Sequence, residues 1–236
     1  MRTRDLFIVL IFLVLFLPFF LSAELYQLFV TLSKSHPFIM AFIKFGILAT
    51  MGETIGYRIQ TGHYPDKNFG MIPRALVWGV LGITIAFAMK IFSNGTPMVL
   101  ASLGFSDAPA SMAGSFTGMK LLTAFSISFA MNQVFAPMMM TTHKVTDTHI
   151  ESHGGRLLAL TKRVHVAKIL AGINWEVQWS FVFKKTIPLF WIPAHTITFL
   201  LPPQFQVLFA AVLSIFLGII LSVAAVMNKK EYITPN

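Results

Sequence analysis

The 236-residue sequence contains no cysteine. Disulfides, thiolate metal sites and thiol catalysis are therefore excluded, and the redox compartment is left open. Charge is nearly as scarce, at 11% of residues against about 25% in an average soluble domain. No phosphate loop, dinucleotide fingerprint or nucleophile motif occurs, so neither an enzymatic activity nor a cofactor is expected.

What fills the chain instead is apolar. Hydrophobic residues make up 56%, with 24 Phe and 13 Met, and mean hydropathy is +0.72. A water-soluble surface cannot be built from this composition. The apolar runs are long rather than alternating, which selects spanning helices over a β-barrel. The expected fold is all-α: a polytopic transmembrane helix bundle of about six spans, with an extra N-terminal span and a C-terminal helical hairpin.

A net charge of +9 would suggest nucleic acid in a soluble protein. In a membrane protein it reflects basic loops held on the cytoplasmic side against anionic lipid. No nucleic-acid partner is expected.

Apolar segments fall at 6–21, 38–57, 75–92, 115–140, 186–201 and 205–227. Placed alternately across a bilayer, they put fourteen Lys and Arg on one side, including Arg2, Arg58, Arg74, Lys144, Lys229 and Lys230. Lys34 alone lies in an opposite loop. This asymmetry implies both termini cytoplasmic. The layout is a signal-anchor span at 1–33, a three-span core at 34–141, a basic cytoplasmic loop with an interfacial segment at 142–185, a hairpin at 186–228 and a tail at 229–236. Ser22-Ala23 before Glu24 also fits a signal-peptide cleavage site. The apolar stretch Tyr26 to Leu32 favours an anchor. The 186–201 span is short, about 24 Å at helical rise against a core of about 30 Å.

Glu53 is the carboxylate inside a well-defined span, about 7 to 8 Å below the interface when counted back from Arg58. It shares a small-residue stripe with Gly46, Ala49 and Gly56, so it is expected to face the bundle. Thr117, Lys120, Ala124, Ser128 and Asn132 lie within about 120° of arc on the fourth span. Such a face lines a cavity or bonds a neighbouring helix. Glu53, Lys120, Ser128, Asn132, Gln133 and His195 are the candidate pathway-lining residues. Lys44, opposite Glu53 on its helix, is expected to snorkel outward.

His143, Asp147, His149, Glu151 and His153 are the densest group of metal-capable side chains. His149 and His153 share a helical face, but Glu151 completes no HExxH pattern and Gly154-Gly155 interrupt a helix. A polar loop without a metal is expected. Arg156 to Ala171 reads as a weakly amphipathic basic helix. Lys162, Arg163 and Lys168, with Trp175 and Trp179 at headgroup level, are the candidate lipid contacts.

The terminal hairpin, Trp191-Ile192-Pro193-Ala194-His195-Thr196-Ile197-Thr198-Phe199 through Pro202-Pro203-Gln204-Phe205-Gln206 to Leu221-Ser222, resembles the ending of the Mpv-seventeen and peroxisomal-membrane-protein-twenty-two family. Upstream, Ser35-His36-Pro37, Gly52-Glu53 and Asn132-Gln133 through Phe135-Ala136-Pro137 agree in order. His195 stands where the family has Gln, Thr198 where it has Asn, and Gln206 where it has Arg. The second-span motif of the family is absent from Trp78 to Lys90. The resemblance is that of a distant, bacterial relative. It implies a channel-type pore for small solutes in a bacterial inner membrane, with an organellar inner membrane as the alternative. The expected function is a pore or passive pathway for small solutes or ions, its solute and any homo-oligomeric state left open. The alternative is a non-transporting scaffold whose basic loop, Lys144 to Lys185, binds anionic lipid or a partner.

Overall fold

The computed structural model describes residues 3–231, and among them there is no strand. The chain is a helix bundle built on α3 (Pro37–Thr61), α4 (Met71–Ser102), α6 (Gly118–Ser152) and α10 (Pro203–Glu231). Shorter elements complete it: α1 (Thr3–Leu21), α2 (Ala23–Ser35), α5 (Ala108–Ser111), α7 (Val166–Ala171), α8 (Trp175–Val177) and α9 (Ile192–Leu200). The expected tail lies outside the described residues from 232 onward, as does Arg2.

Each long helix starts and stops on local chemistry. Pro37 opens α3 at a position where its missing N–H costs no helical bond. Gly62, at φ 79°, closes it by donating to the Arg58 carbonyl. Thr117 caps α6 by accepting the Lys120 N–H.

Among the described residues, four helices are long and apolar enough to cross a membrane. A fifth is obtained if Leu10–Leu21 and Ala23–Ser35, bent by 99°, count as one span. The bend falls at Ser22, whose extended backbone interrupts the helix and whose hydroxyl accepts the Leu25 N–H. The segment expected at 186–201 belongs to a longer helical stretch. It joins the last six residues of a π-helix (Gln178–Trp191) to α9, and Lys184 and Lys185 directly precede them. Pro188 lacks the N–H that an α-turn needs, and a π-helical register accommodates such gaps.

Two expected boundaries move. α4 runs through Pro97 to Ser102, beyond 92. α6 continues from 140 to Ser152, because nothing between Thr141 and Ser152 breaks a helix until Gly154 and Gly155 turn the chain at φ 64° and 67°. At about 1.5 Å per residue, α6 is roughly 50 Å long and outreaches a core of about 30 Å. The basic helix expected over Arg156–Ala171 is instead a 3-10 turn at Leu157–Thr161, an extended link and the six residues of α7.

The core forms where α3 packs between α4 and α10, while α9 lies against α6. Leu48, Ile85, Ile127, Phe199 and Ile215 are buried there. Small residues permit the close approach. A Cβ on Gly52 would sit 2.9 Å from the Ile215 Cα, and one on Gly82 would sit 2.7 Å from the Ala41 carbonyl oxygen. Lys44 does not snorkel. It is buried beneath α2, where its ammonium donates to Ser33 Oγ at 2.9 Å. At the other end, Arg58 and Tyr64 both hold Asp5, at 3.3 and 2.8 Å, and so fasten α1 to α3.

Candidate functional site

The charged end of the bundle is organised by Arg74, in the first turn of α4 and 3% exposed. It is put there by a 3-10 turn, Lys67–Phe69, which Asp66 caps and Gly70 links to α4. A Cβ on Gly155 would collide with the Lys67 and Asn68 carbonyls, so the glycine turn after α6 seats against this 3-10 turn.

Arg74 then meets four acceptors from three directions. Its Nε donates to the Phe69 carbonyl at 2.8 Å, with the Phe69 ring 4.4 Å away. Nη1 lies 3.1 Å from Glu53 Oε2 and 2.7 Å from Asp147 Oδ2, while Nη2 donates to Glu151 Oε1 at 2.6 Å. His143, Asp147 and Glu151 recur every fourth residue on the extended part of α6 and therefore share its inner face. His143 Nε2 stands 2.8 Å from Glu53 Oε1 and 3.4 Å from Asp147 Oδ2, off the line of a full hydrogen bond. Trp78 covers this cluster, its ring 4.3 Å from that of His143. One guanidinium thus balances three carboxylates, with an imidazole between two of them.

A second polar group lies further along α6. Ser128 donates to the Ile192 carbonyl at 2.7 Å, and Thr196 donates to the same oxygen. Asn132 donates to the Ser128 carbonyl at 2.8 Å and meets His195 Nδ1 at 3.1 Å. With that amide orientation, His195 accepts at Nδ1 and carries its proton on Nε2.

Between the two groups is a cavity of about 40 Å³, lined by Trp78, Met131, Asn132, Met139, Trp191 and His195. It has room for about three waters. Two of its lining side chains carry a buried polar atom without a partner: Asn132 Oδ1 and Trp191 Nε1. Toward the opposite end, a vestibule of about 530 Å³ is walled by Ser33, Lys34, Lys90, Asn94, Gln204 and Gln206. Its floor includes Ala86 and Val207, while Ile85 and Ala210 of the same two helices line the inner cavity.

The sequence candidates separate on this geometry. Glu53 joins the charged cluster, and Ser128, Asn132 and His195 join each other. Lys120 sits in the first turn of α6 and donates to the Gly114 carbonyl at 2.6 Å, clear of the cavity. Gln133 is exposed on the opposite face of that helix. Arg74, Trp78 and Trp191 were not among the site candidates, and His143 and Asp147 were marked only as metal-capable side chains of a polar loop. The four-residue spacing of His143, Asp147 and Glu151 was a legible signal, hidden by ending the helix at 140.

The expected polar loop is thus largely helical; the His149 and His153 rings lie 4.4 Å apart, while His143 stands with the Arg74 cluster. His149 Nε2 meets the Ala159 carbonyl, and His153 Nδ1 meets the His149 carbonyl. Glu53, His143 and Asp147 do bring ligand atoms within 4.8 Å of one another. Arg74 Nη1, however, bridges the two carboxylates and takes the place a cation would fill. Lys162, Arg163, Lys168, Trp175 and Trp179 are exposed along the 157–179 segment, which also exposes Leu157, Leu158 and Val166. Outside the spans, the Tyr64 hydroxyl is pushed up from its ordinary pKa by desolvation and then by the Asp5 carboxylate it donates to. Neither the family models, nor the curated proteins, nor the solved structures include a match to this chain.

Proposed function

We propose that the protein is a channel-like pathway for small polar solutes or ions, closed at one end by the Arg74 cluster. The supporting observation is the succession of three features along α3 and α4: an open vestibule, a cavity with orphaned polar atoms, and a salt-bridged plug. Glu53, Ser128, Asn132 and His195 belong to this pathway in the proposal; Lys120 and Gln133 are left outside it. The charged end faces the cytoplasm, since Arg58, Lys67, Lys144 and the basic 156–168 segment gather there. The resemblance of the terminal hairpin to the Mpv-seventeen family points the same way.

Opening requires the guanidinium to leave its carboxylates. Freed of it, the mouth is lined by Glu53 and Asp147, which attract cations. Single-channel recording in planar bilayers tests this. Arg74→Met is expected to raise open probability and cation selectivity, and Glu53→Gln to lower the selectivity. A silent bilayer for both wild type and Arg74→Met, with protein shown to be folded and inserted, rejects the pathway. It would favour a scaffold that binds anionic lipid through Lys162, Arg163 and Lys168, a reading supported by the exposed leucines and tryptophans beside them.

A further inference from the structure

A separate pocket lies outside that file, among α1, α2, α3 and α10. It encloses about 510 Å³, within the range of about 300–1,000 Å³ for small-molecule sites. Its wall is almost wholly apolar, formed by residues such as Phe16, Phe19, Phe20, Tyr26, Ile47 and Leu208. Lys44 is the charged exception. Its ammonium, 7% exposed as a residue, has Ser33 Oγ at 2.9 Å and the Phe29 ring centroid at 4.5 Å. Among the described residues it forms no ion pair.

That is an incomplete environment for a cation. An ammonium has three donors, and a hydroxyl and a ring face occupy two of them. A buried charge in an apolar wall is costly unless an opposite charge meets it. With Ser33 and Phe29 of α2 lying over it, the side chain is held at the pocket. The missing partner is an anion that brings its own apolar body.

We propose that this pocket binds a long-chain fatty acid, its chain against the apolar wall and its carboxylate on Lys44 Nζ. The polar inventory favours this occupant over a phospholipid. A fatty acid presents one compact monoanionic head, which one ammonium and one hydroxyl satisfy. The phosphate and ester carbonyls of a phospholipid add more acceptors than Lys44 and the Tyr26 hydroxyl of this wall can meet. Entry is lateral, from the bilayer, past Ile43 and Ile47, which line the pocket and are exposed on the surface of α3.

The test uses delipidated full-length protein in micelles, with radiolabelled palmitate as ligand and uncharged hexadecanol as the control chain. Wild type is expected to bind palmitate saturably. Lys44→Met is expected to weaken palmitate by about thirtyfold, as for loss of one partner of a buried charge pair, and to leave hexadecanol little changed. Ile43→Trp, which places an indole at the pocket mouth and retains Lys44, is expected to weaken both. Three results overturn the proposal: no saturable palmitate binding, palmitate binding unchanged in Lys44→Met, or phosphatidylglycerol displacing palmitate at equal or lower concentration. The last assigns the pocket to a bilayer phospholipid. Should Lys44→Met fail to fold, Ile43→Trp decides by the same readout, and unchanged palmitate binding in it overturns the proposal.

Discussion

Removing the Arg74 guanidinium is expected to destabilise the protein more than any other single charge deletion on its surface or in its loops. Arg74→Met keeps much of the aliphatic stem and deletes the fork. At an effective dielectric near 20, each close ion pair carries about 4 kcal/mol of gross Coulomb energy, most of it offset by desolvation. The net consequence follows from what stays behind. The side chains of Glu53 and Asp147 are 18% and 15% exposed, so their charges lose their main counter-ion without gaining water. Glu151 is 58% exposed and adds little beyond a surface pair. Loss of one partner from a buried charge network costs about 3–5 kcal/mol, and that is the expected range. Arg74→Lys restores the charge but not four acceptors at once, and should recover only part of the loss.

The assay is reversible unfolding in mixed micelles titrated with denaturing detergent, followed by tryptophan fluorescence. Trp78 rests on His143 and reports the cluster directly. Adding Glu53→Gln to Arg74→Met removes one of the stranded charges. The double variant should therefore be more stable than the sum of the two single losses, with a coupling of about 0.5–3 kcal/mol. An exposed control, Arg163→Met, should stay within about 0.5 kcal/mol of wild type. If Arg74→Met behaves like that control, or the pair is additive to within about 0.5 kcal/mol, the cluster is not the electrostatic unit described here.

Two glycines should respond with opposite signs. Gly52→Val places a Cβ 2.9 Å from the Ile215 Cα, and the overpacking should cost about 1–3 kcal/mol or more by pushing α10 from α3. Gly95 lies in α4 with nothing within 4 Å of an added Cβ, so Gly95→Ala should stabilise by about 0.5–1 kcal/mol. Thermal midpoints in one detergent compare the two, and equal shifts would contradict the packing. The raised Tyr64 pKa sets a sign for alkaline conditions. A folded pKa above the unfolded value means a contribution present below about pH 10 and lost as pH rises further. Proteolysis near the start of α1 should therefore accelerate above that pH in wild type and show no such step in Tyr64→Phe.

The all-α class and the four long apolar helices were legible in the sequence, because continuous hydrophobicity and helix-ending glycines are local properties. So were the inward face of Glu53 and the shared face of Ser128 and Asn132, which depend on helical periodicity within one segment. The Arg74 cluster was not. Its pairs to Glu53 and Glu151 join residues 21 and 77 apart in sequence, and they exist because Gly52 and Gly82 let α3 pack closely on its neighbours and fix its rotation. Lys44 and Lys120 make the same point in opposite directions. By pattern, the first was a snorkelling cation and the second a buried one; α2 covers Lys44, while the Gly114 carbonyl draws Lys120 to the rim. Local pattern determines which segments become helices and which faces are polar. Which charges meet depends on helix rotation and depth, set by shape complementarity between distant segments, and only the tertiary structure decides that.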